Sequence, residues 1–379
     1  MPDFSAFAGR ACPAWYRRPQ LGIFVHWGVF AMPAYAPRGE PINEIARNDY
    51  DNLFARAPYS EWYANALRLP GSATAAHHAE VWGDRPYESF KADFEAAAAA
   101  FDADAWADLF AGARAGYVVM VTKHHDGYCL WPSGVGNPHR ADWRSGRDFV
   151  GELAQAVRRR GTRFGVYYSG GLDWTFEARP IADMGDMLAC VPLGEDYRAY
   201  AAAQVRELIA RYRPSVLWND IAWPDGRDLP GLFGDYYAAV PDGVVNDRWT
   251  GERALFEGLR DEGARKGFNT AIKAATAAAK GELAQPAPPH SDFRTVEYGA
   301  GAGMGETKWE STRGLGLGFG FNANERPEDY MSSEALNALY DDVTARGGNL
   351  LINVGPRADA SIPPKQAALL RALGQHLSA

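Results

Sequence analysis

The chain has 379 residues, 47% of them hydrophobic, and a formal net charge of −8 at pH 7. That is enough apolar material for one large α/β barrel or for two ordinary domains. There is no basic stripe, run of like charges or Arg-rich arm, so the composition argues against nucleic acid and against an anionic membrane surface as partners; a small neutral ligand fits better.

The 12 Trp, 18 Tyr and 18 Phe serve either a large core or an aromatic-lined pocket for a ligand with apolar faces, such as a sugar. Cys12, Cys129 and Cys190 are scattered, with no pair at metal or redox spacing, so neither a disulfide framework nor a zinc knuckle is implied. Residues 1–18 lack the charged start, apolar run and cleavage pattern of a signal, and no apolar span is long enough to cross a bilayer. A cytoplasmic location is the expectation.

Residues 21–28 (Leu-Gly-Ile-Phe-Val-His-Trp-Gly) form an apolar run ending in polar and aromatic groups, a buried strand that meets a loop. A long irregular stretch follows, then Glu61-Trp62-Tyr63 in a short helical or loop segment. Residues 72–81 are ambiguous, and no second strand can be placed before Phe94. His77-His78, in that stretch, is expected to be ordinary surface. From Phe101 the pattern becomes regular. Asp102 is a good N-cap, Trp106, Leu109, Phe110 and Ala113 share a helical face, and residues 117–122 are a β-branched run ending in Lys123-His124-His125-Asp126-Gly127. The unit recurs as a helix over 148–160 with a strand over 164–168, and again as a helix over 196–212 with a strand over 215–220 (Ser-Val-Leu-Trp-Asn-Asp). Later units are residues 244–249, residues 295–298, and a helix over 332–346 leading to a strand over 349–354; a last amphipathic helix spans 364–377.

Alternating helices and apolar strands imply parallel strands with helical crossovers. A doubly wound nucleotide-binding sheet would want a glycine-rich phosphate turn after its first strand, and Gly28-Val29-Phe30-Ala31 is not one. Polar residues gather instead at the strand ends: His26, His124, His125, Tyr167, Asp220, Arg248, Glu297 and Asn353. This is the distribution of a (β/α)8-like, TIM-type barrel with its active site on the C-terminal face, one catalytic domain over residues 1–379. Residues 252–290 break the rhythm and read as an insertion on that side. They contain an Ala- and Lys-rich exposed helix over 271–280 and a Pro-rich return at 285–289.

Asp220 and Glu297 each end a short apolar strand. Hydrolysis of a glycosidic bond needs two such groups, one to attack the anomeric carbon and one to protonate the leaving oxygen. The plain alternative is that Asp220 caps the next helix and that Glu297 pairs with Arg294 or Arg248. The His124-His125 doublet invites a metal reading, but adjacent strand residues point to opposite faces and no second His or Cys cluster completes a ligand set.

Seven segments, at residues 22–28, 61–63, 123–131, 165–171, 217–220, 246–249 and 347–356, come in order and together resemble the α-L-fucosidases of glycoside hydrolase family 29. The resemblance implies a retaining exo-glycosidase on a (β/α)8-like barrel, acting on fucosylated oligosaccharides or glycoconjugates without a cofactor or metal. It makes Asp220 the nucleophile and Glu297 the general acid/base, and it places His26, Glu61, Trp62, His124, His125, Tyr167, Trp218 and Arg248 around the sugar. In physical terms, Trp62 and Trp218 would cover apolar ring faces and the C6 methyl, and Arg248 would keep Asp220 ionised.

Two departures stand out. The family's usual C-terminal β-sandwich does not follow the barrel, which leaves a homo-oligomer open. The long connection after Arg248 makes Glu257, Asp261 and Glu262 fallback acids, although their polar surroundings read as solvated. Competing readings are a barrel that binds fucose without turning it over, and a metal-dependent hydrolase built on His124 and His125.

Overall fold

The computed structural model describes residues 2–278, 288–299, 301, 304, 305 and 307–378. Among them, eight parallel strands form one sheet: β1 Leu21–Val25, β2 Tyr117–Lys123, β3 Arg163–Ser169, β4 Val216–Asp220, β5 Val244–Val245, β6 Arg294–Glu297, β7 Trp309–Gly314 and β8 Asn349–Val354. Strands β1 to β5 pair in chain order, as do β6 to β8, and β1 also pairs with β8, so the sheet curls on itself. The remaining seam, between β5 and β6, is closed just ahead of β6. There Asp292 N donates to Val245 O (2.9 Å) and Val245 N donates to Asp292 Oδ2 (2.8 Å). The fold is a (β/α)8 barrel.

The helix–strand units follow the hydrophobic pattern. The helix Phe149–Arg159 turns Phe149, Val150, Leu153 and Val157 onto the sheet, and the Asp148 side chain accepts from Gly151 N (2.9 Å) at its start. A cap of that kind is worth about 1 kcal/mol, and each large apolar side chain so buried about 1.5–3 kcal/mol. Inside the barrel, Phe24, Tyr117, Val119, Tyr167, Val216, Trp218, Val244 and Leu351 pack together, so it is a filled core whose polar surface is confined to the ends. Gly22 faces Tyr117 within it, and a Cβ there would lie 2.4 Å from the ring.

Three sequence expectations are corrected. The strand β7 had no counterpart in the reading, because its residues, Trp-Glu-Ser-Thr-Arg-Gly, are polar at nearly every position. All but Arg313 are buried nonetheless: Glu310 reaches the barrel interior and accepts from Tyr16 Oη (2.7 Å) and Trp218 Nε1 (3.0 Å). His78 is a buried residue of the helix Ala73–Trp82, held between Tyr63 Oη and Arg85 O at 2.7 Å each, and His77 stacks on Tyr35. The helix expected over 271–280 runs instead over Glu262–Ala278 and packs against the helices Ile42–Asn48 and Met184–Ala189. Lys280 and residues 285–287 of the Pro-rich return lie outside the described residues. Among the described residues, no helix is long and apolar enough to cross a membrane.

Candidate active site

At the C-terminal mouth of the barrel lies a cavity of about 420 Å³. His26, Glu61, Trp62, His124, His125, Tyr167, Trp218, Asp220, Arg248 and Glu297 all line it. Six of the eight strands, or the turns directly after them, deliver these groups; Glu61 and Trp62 come from the short 3-10 turn Ser60–Trp62.

The two carboxylates share a local device. Asp220 is the last residue of β4 and Glu297 the last of β6, and each is followed by a non-glycine residue in the left-handed region, Ile221 at φ 66° and Tyr298 at φ 53°. For a β-branched residue that conformation is costly, on the order of 1–2 kcal/mol, and such strain persists where surrounding contacts over-determine it. At Ile221 the contacts are visible. Gly171 N donates to Asp220 O (3.2 Å), and a Cβ on Gly171 would lie 2.5 Å from Ala222 N, so the paired glycines after β3 let the turn after β4 close down on them.

Arg248 joins the pair. Its Nη1 donates to Asp220 Oδ1 (2.7 Å) and its Nη2 to Glu297 Oε2 (2.9 Å), while the guanidinium lies 5.0 Å from the centre of the Trp218 ring. Asp220 also accepts from Tyr167 Oη at Oδ2 (2.8 Å) and from Ile221 N at Oδ1 (2.8 Å). Burial alone would raise its pKa, but the charge of Arg248, the nearby His125 and the Tyr167 hydrogen bond outweigh it, and the carboxyl sits below its ordinary value. Glu297 accepts from Tyr59 Oη at Oε1 (3.0 Å). Its side chain is 30% exposed against 12% for Asp220, which makes Glu297 the more solvent-accessible of the two.

The plain alternatives fare differently. Asp220 caps no helix; the next one, Gly226–Asp228, is capped by Asp225. Arg294 is engaged with Asp247 (2.7 Å), whereas Arg248 does pair with Glu297, at the same time as with Asp220. Glu257, Asp261 and Glu262 are exposed and do not line the cavity.

His124 and His125 do not face opposite ways. Strand β2 ends at Lys123, the chain turns, and both rings enter the cavity with centroids 4.0 Å apart. Among the described residues, no group of three or more His, Cys, Asp or Glu could hold a metal ion. The imidazoles are set up as neutral hydrogen-bonding groups. Burial pushes His26 down to about 4 and His125 to about 3, and His124 also well below its ordinary value. Ser169 Oγ donates to Leu172 O (2.6 Å), so it can only accept from His125 Nδ1 (2.7 Å). That places the ring proton on Nδ1 and leaves Nε2 as an acceptor for a hydroxyl. His26 Nδ1 likewise meets Asn353 Oδ1 (2.7 Å), whose amide is oriented by donating to Phe319 O (2.5 Å).

Glu61 is buried and accepts from Gly320 N at Oε2 (2.8 Å); burial pushes its carboxyl up to about 7. Because the folded-state value lies above the ordinary 4.5, the associated stability is complete below pH 4.5 and is lost as the pH rises through about 7. Glu61→Gln is therefore expected to raise unfolding stability at pH 8 by up to about 3 kcal/mol and to change it little at pH 4.5. Denaturant titrations at the two pH values check this, and equal effects at both would show that burial does not govern the group.

Tyr59, Phe54, Tyr298, Thr312 and Phe319 also line the cavity and were not foreseen. Tyr59 and Phe54 sit in the irregular stretch after β1, where no periodicity marks an inward side. Tyr298, next to Glu297, could have been noted as the aromatic neighbour of a candidate acid.

A closed parallel barrel whose C-terminal mouth gathers two bridged carboxylates, neutral imidazoles and aromatic faces is the architecture of a barrel glycosidase. The model of the α-L-fucosidase family matches residues 2–379, and the chain belongs to that family, whose glycoside hydrolase family 29 members are retaining enzymes. It is 29% identical to the tissue α-L-fucosidase of Bos taurus over all of this chain and 69% of that protein. It is 28% identical to the α-L-fucosidase of Dictyostelium discoideum over all of this chain and 72% of that protein. Among solved structures, the Thermotoga maritima α-fucosidase in complex with fucose is 39% identical, with a TM-score of 0.79, over 99% of this chain and 76% of that one.

Proposed function

We propose that the chain removes terminal α-L-fucosyl groups from fucosylated oligosaccharides or glycoconjugates by double displacement, with Asp220 as nucleophile and Glu297 as general acid/base. The observation that carries the assignment is the bridge through Arg248. The shared guanidinium holds Asp220 and Glu297 beside each other at the mouth of the barrel, and a retaining mechanism asks for such a pair about 5 to 5.5 Å apart.

In the first step an Asp220 oxygen bonds to the anomeric carbon as the bond from that carbon to the leaving oxygen breaks, and the leaving oxygen takes the proton of Glu297. In the second, Glu297, now a carboxylate, takes a proton from water; the water oxygen bonds to the anomeric carbon and Asp220 leaves. Arg248 and Tyr167 keep Asp220 ionised for the attack and stabilise it again as it departs. The neutral His26, His124 and His125 with Glu61 accept or donate to the sugar hydroxyls, Trp62 covers an apolar face of the ring, and Trp218 forms the floor. Residues 1–379 act as one catalytic unit, with 252–290 as an insertion in it.

Proton NMR during hydrolysis of an aryl α-L-fucoside tests the reading. The expected first product is α-L-fucose, followed by slow mutarotation; a β-anomer formed first, or no hydrolysis of the fucoside, overturns it.

A further inference from the structure

The cavity extends beyond the groups that hold the sugar. We infer that its outer part is an aglycone subsite with an apolar wall, which favours aglycones that present hydrocarbon to it over those that present only hydroxyls, an inference that rests on the fucosidase reading above. Its apolar wall is made by Ile42, Ala46, Leu53, Phe54, Met184 and Met187. These come from the helices Ile42–Asn48, Leu53–Arg56 and Met184–Ala189, and the helix Glu262–Ala278 lies against the first and the third of them.

Fixed polar contacts behind the wall hold it in place. Asn269 Oδ1 accepts from both Tyr50 Oη (3.1 Å) and Gly185 N (2.9 Å), Arg265 pairs with Asp186 (2.9 Å), and Phe54 N donates to Ala182 O (3.3 Å). The wall is continuous with the sugar site. The Phe54 ring stacks on Trp62 at 4.3 Å and 6°, and Trp62 meets His125 edge-on at 5.0 Å. On the other side Ile221, directly after Asp220, lines the cavity and packs against the buried cluster of Val191, Leu193, Ala222 and Phe256, as does Leu188 of the Met184–Ala189 helix.

The polar groups on this wall are largely spent on the protein itself. Tyr50 Oη is given to Asn269, and Thr276 Oγ1 donates to Ile272 O (2.9 Å). Among the described residues of these helices, Asn43 Oδ1 is buried without a partner. It supplies one acceptor, where a second sugar would bring several hydroxyls, each needing a partner on leaving water. Methionine adds an adaptable, polarizable surface that suits apolar groups of varied shape. The occupant that fits is the hydrocarbon part of an alkyl, aryl or fused-ring fucoside, carrying at most one hydrogen-bond donor toward Asn43.

The test is calorimetric titration of the full chain with methyl, butyl and hexyl 1-thio-α-L-fucosides, whose sulfur-linked aglycones resist cleavage, and with an S-linked fucosyl disaccharide. Kd is expected to fall by about threefold per added methylene as the chain fills the cavity. Met184→Gln and Met187→Gln are expected to flatten that gradient, and the disaccharide to bind no tighter than the methyl compound. A flat alkyl gradient, or a disaccharide that binds more tightly than the hexyl compound, overturns the subsite while hydrolysis of an aryl fucoside still stands. No binding of any thiofucoside and no hydrolysis overturns both readings.

Discussion

Asp220→Gly is expected to lower kcat/KM for an aryl α-L-fucoside by about 10⁴-fold, equivalent to about 5.5 kcal/mol of lost transition-state stabilisation. The loss is large because the carboxylate does two things that nothing else in the cavity can replace. It supplies the attacking oxygen, and it places a negative charge beside the anomeric carbon as positive charge develops there. The geometry makes the variant a clean probe. Removal of the side chain opens space between Arg248 Nη1 and Tyr167 Oη, which faced the two Asp220 oxygens at 2.7 and 2.8 Å, and a small anion can enter it. Sodium azide should therefore restore turnover, and because it attacks from the face that Asp220 occupied, the product should be β-L-fucosyl azide. Circular dichroism checks that the variant is folded. Activity near that of the parent chain would remove Asp220 from the nucleophile's role, whatever the fate of the family assignment.

Much of the barrel was legible because burial in a parallel sheet leaves a plain signature. Strands such as residues 117–122 and 349–354 are buried on both faces and mostly apolar, the helices between them show one apolar stripe, and polar residues cluster where the strands stop. The signature fails where the barrel's interior is polar. In β7, buried Glu310 is held by Tyr16 and Trp218, and Ser311 Oγ donates to Gly299 O, all partners outside the strand of which the local sequence carries no record. The site shows the same division. Asp220 and Glu297 could be picked out as acids at strand ends, but the fact that Arg248 binds both at once depends on β5 and β6 being neighbours across the seam. The two imidazoles of His124 and His125 were misassigned to opposite faces because the two-residue alternation of a strand was carried one step past its end at Lys123. The apolar outer wall was beyond reach for a different reason: its helices belong to two separate connections, after β1 and after β3, and only tertiary packing gathers them.

Glu297→Gln is expected to produce a loss that depends on the leaving group, and this dependence separates an acid/base from a merely structural partner of Arg248. An alkyl alcohol cannot depart as an alkoxide, so hydrolysis of methyl or alkyl α-L-fucosides should fall by about 10²–10⁴-fold. A dinitrophenolate needs no proton, and kcat/KM for the dinitrophenyl fucoside should stay within about tenfold of the parent value. Its kcat should still drop, because the second step has lost the base that activates water and the covalent intermediate accumulates. Azide bypasses that step without a base. It attacks the intermediate from the face opposite Asp220, so the product should be α-L-fucosyl azide, the opposite anomer to that expected from Asp220→Gly. Two variants, one anion and two opposite configurations thus assign the two carboxylates without reference to each other. The contacts of Glu297 favour this outcome: Tyr59 and Arg248 orient its two oxygens separately, and its partial exposure lets the proton exchange with solvent. Equal losses on both leaving groups would mark Glu297 as a positioning partner of Arg248 and return the acid's role to the connection that follows Arg248, where Glu257, Asp261 and Glu262 all face solvent.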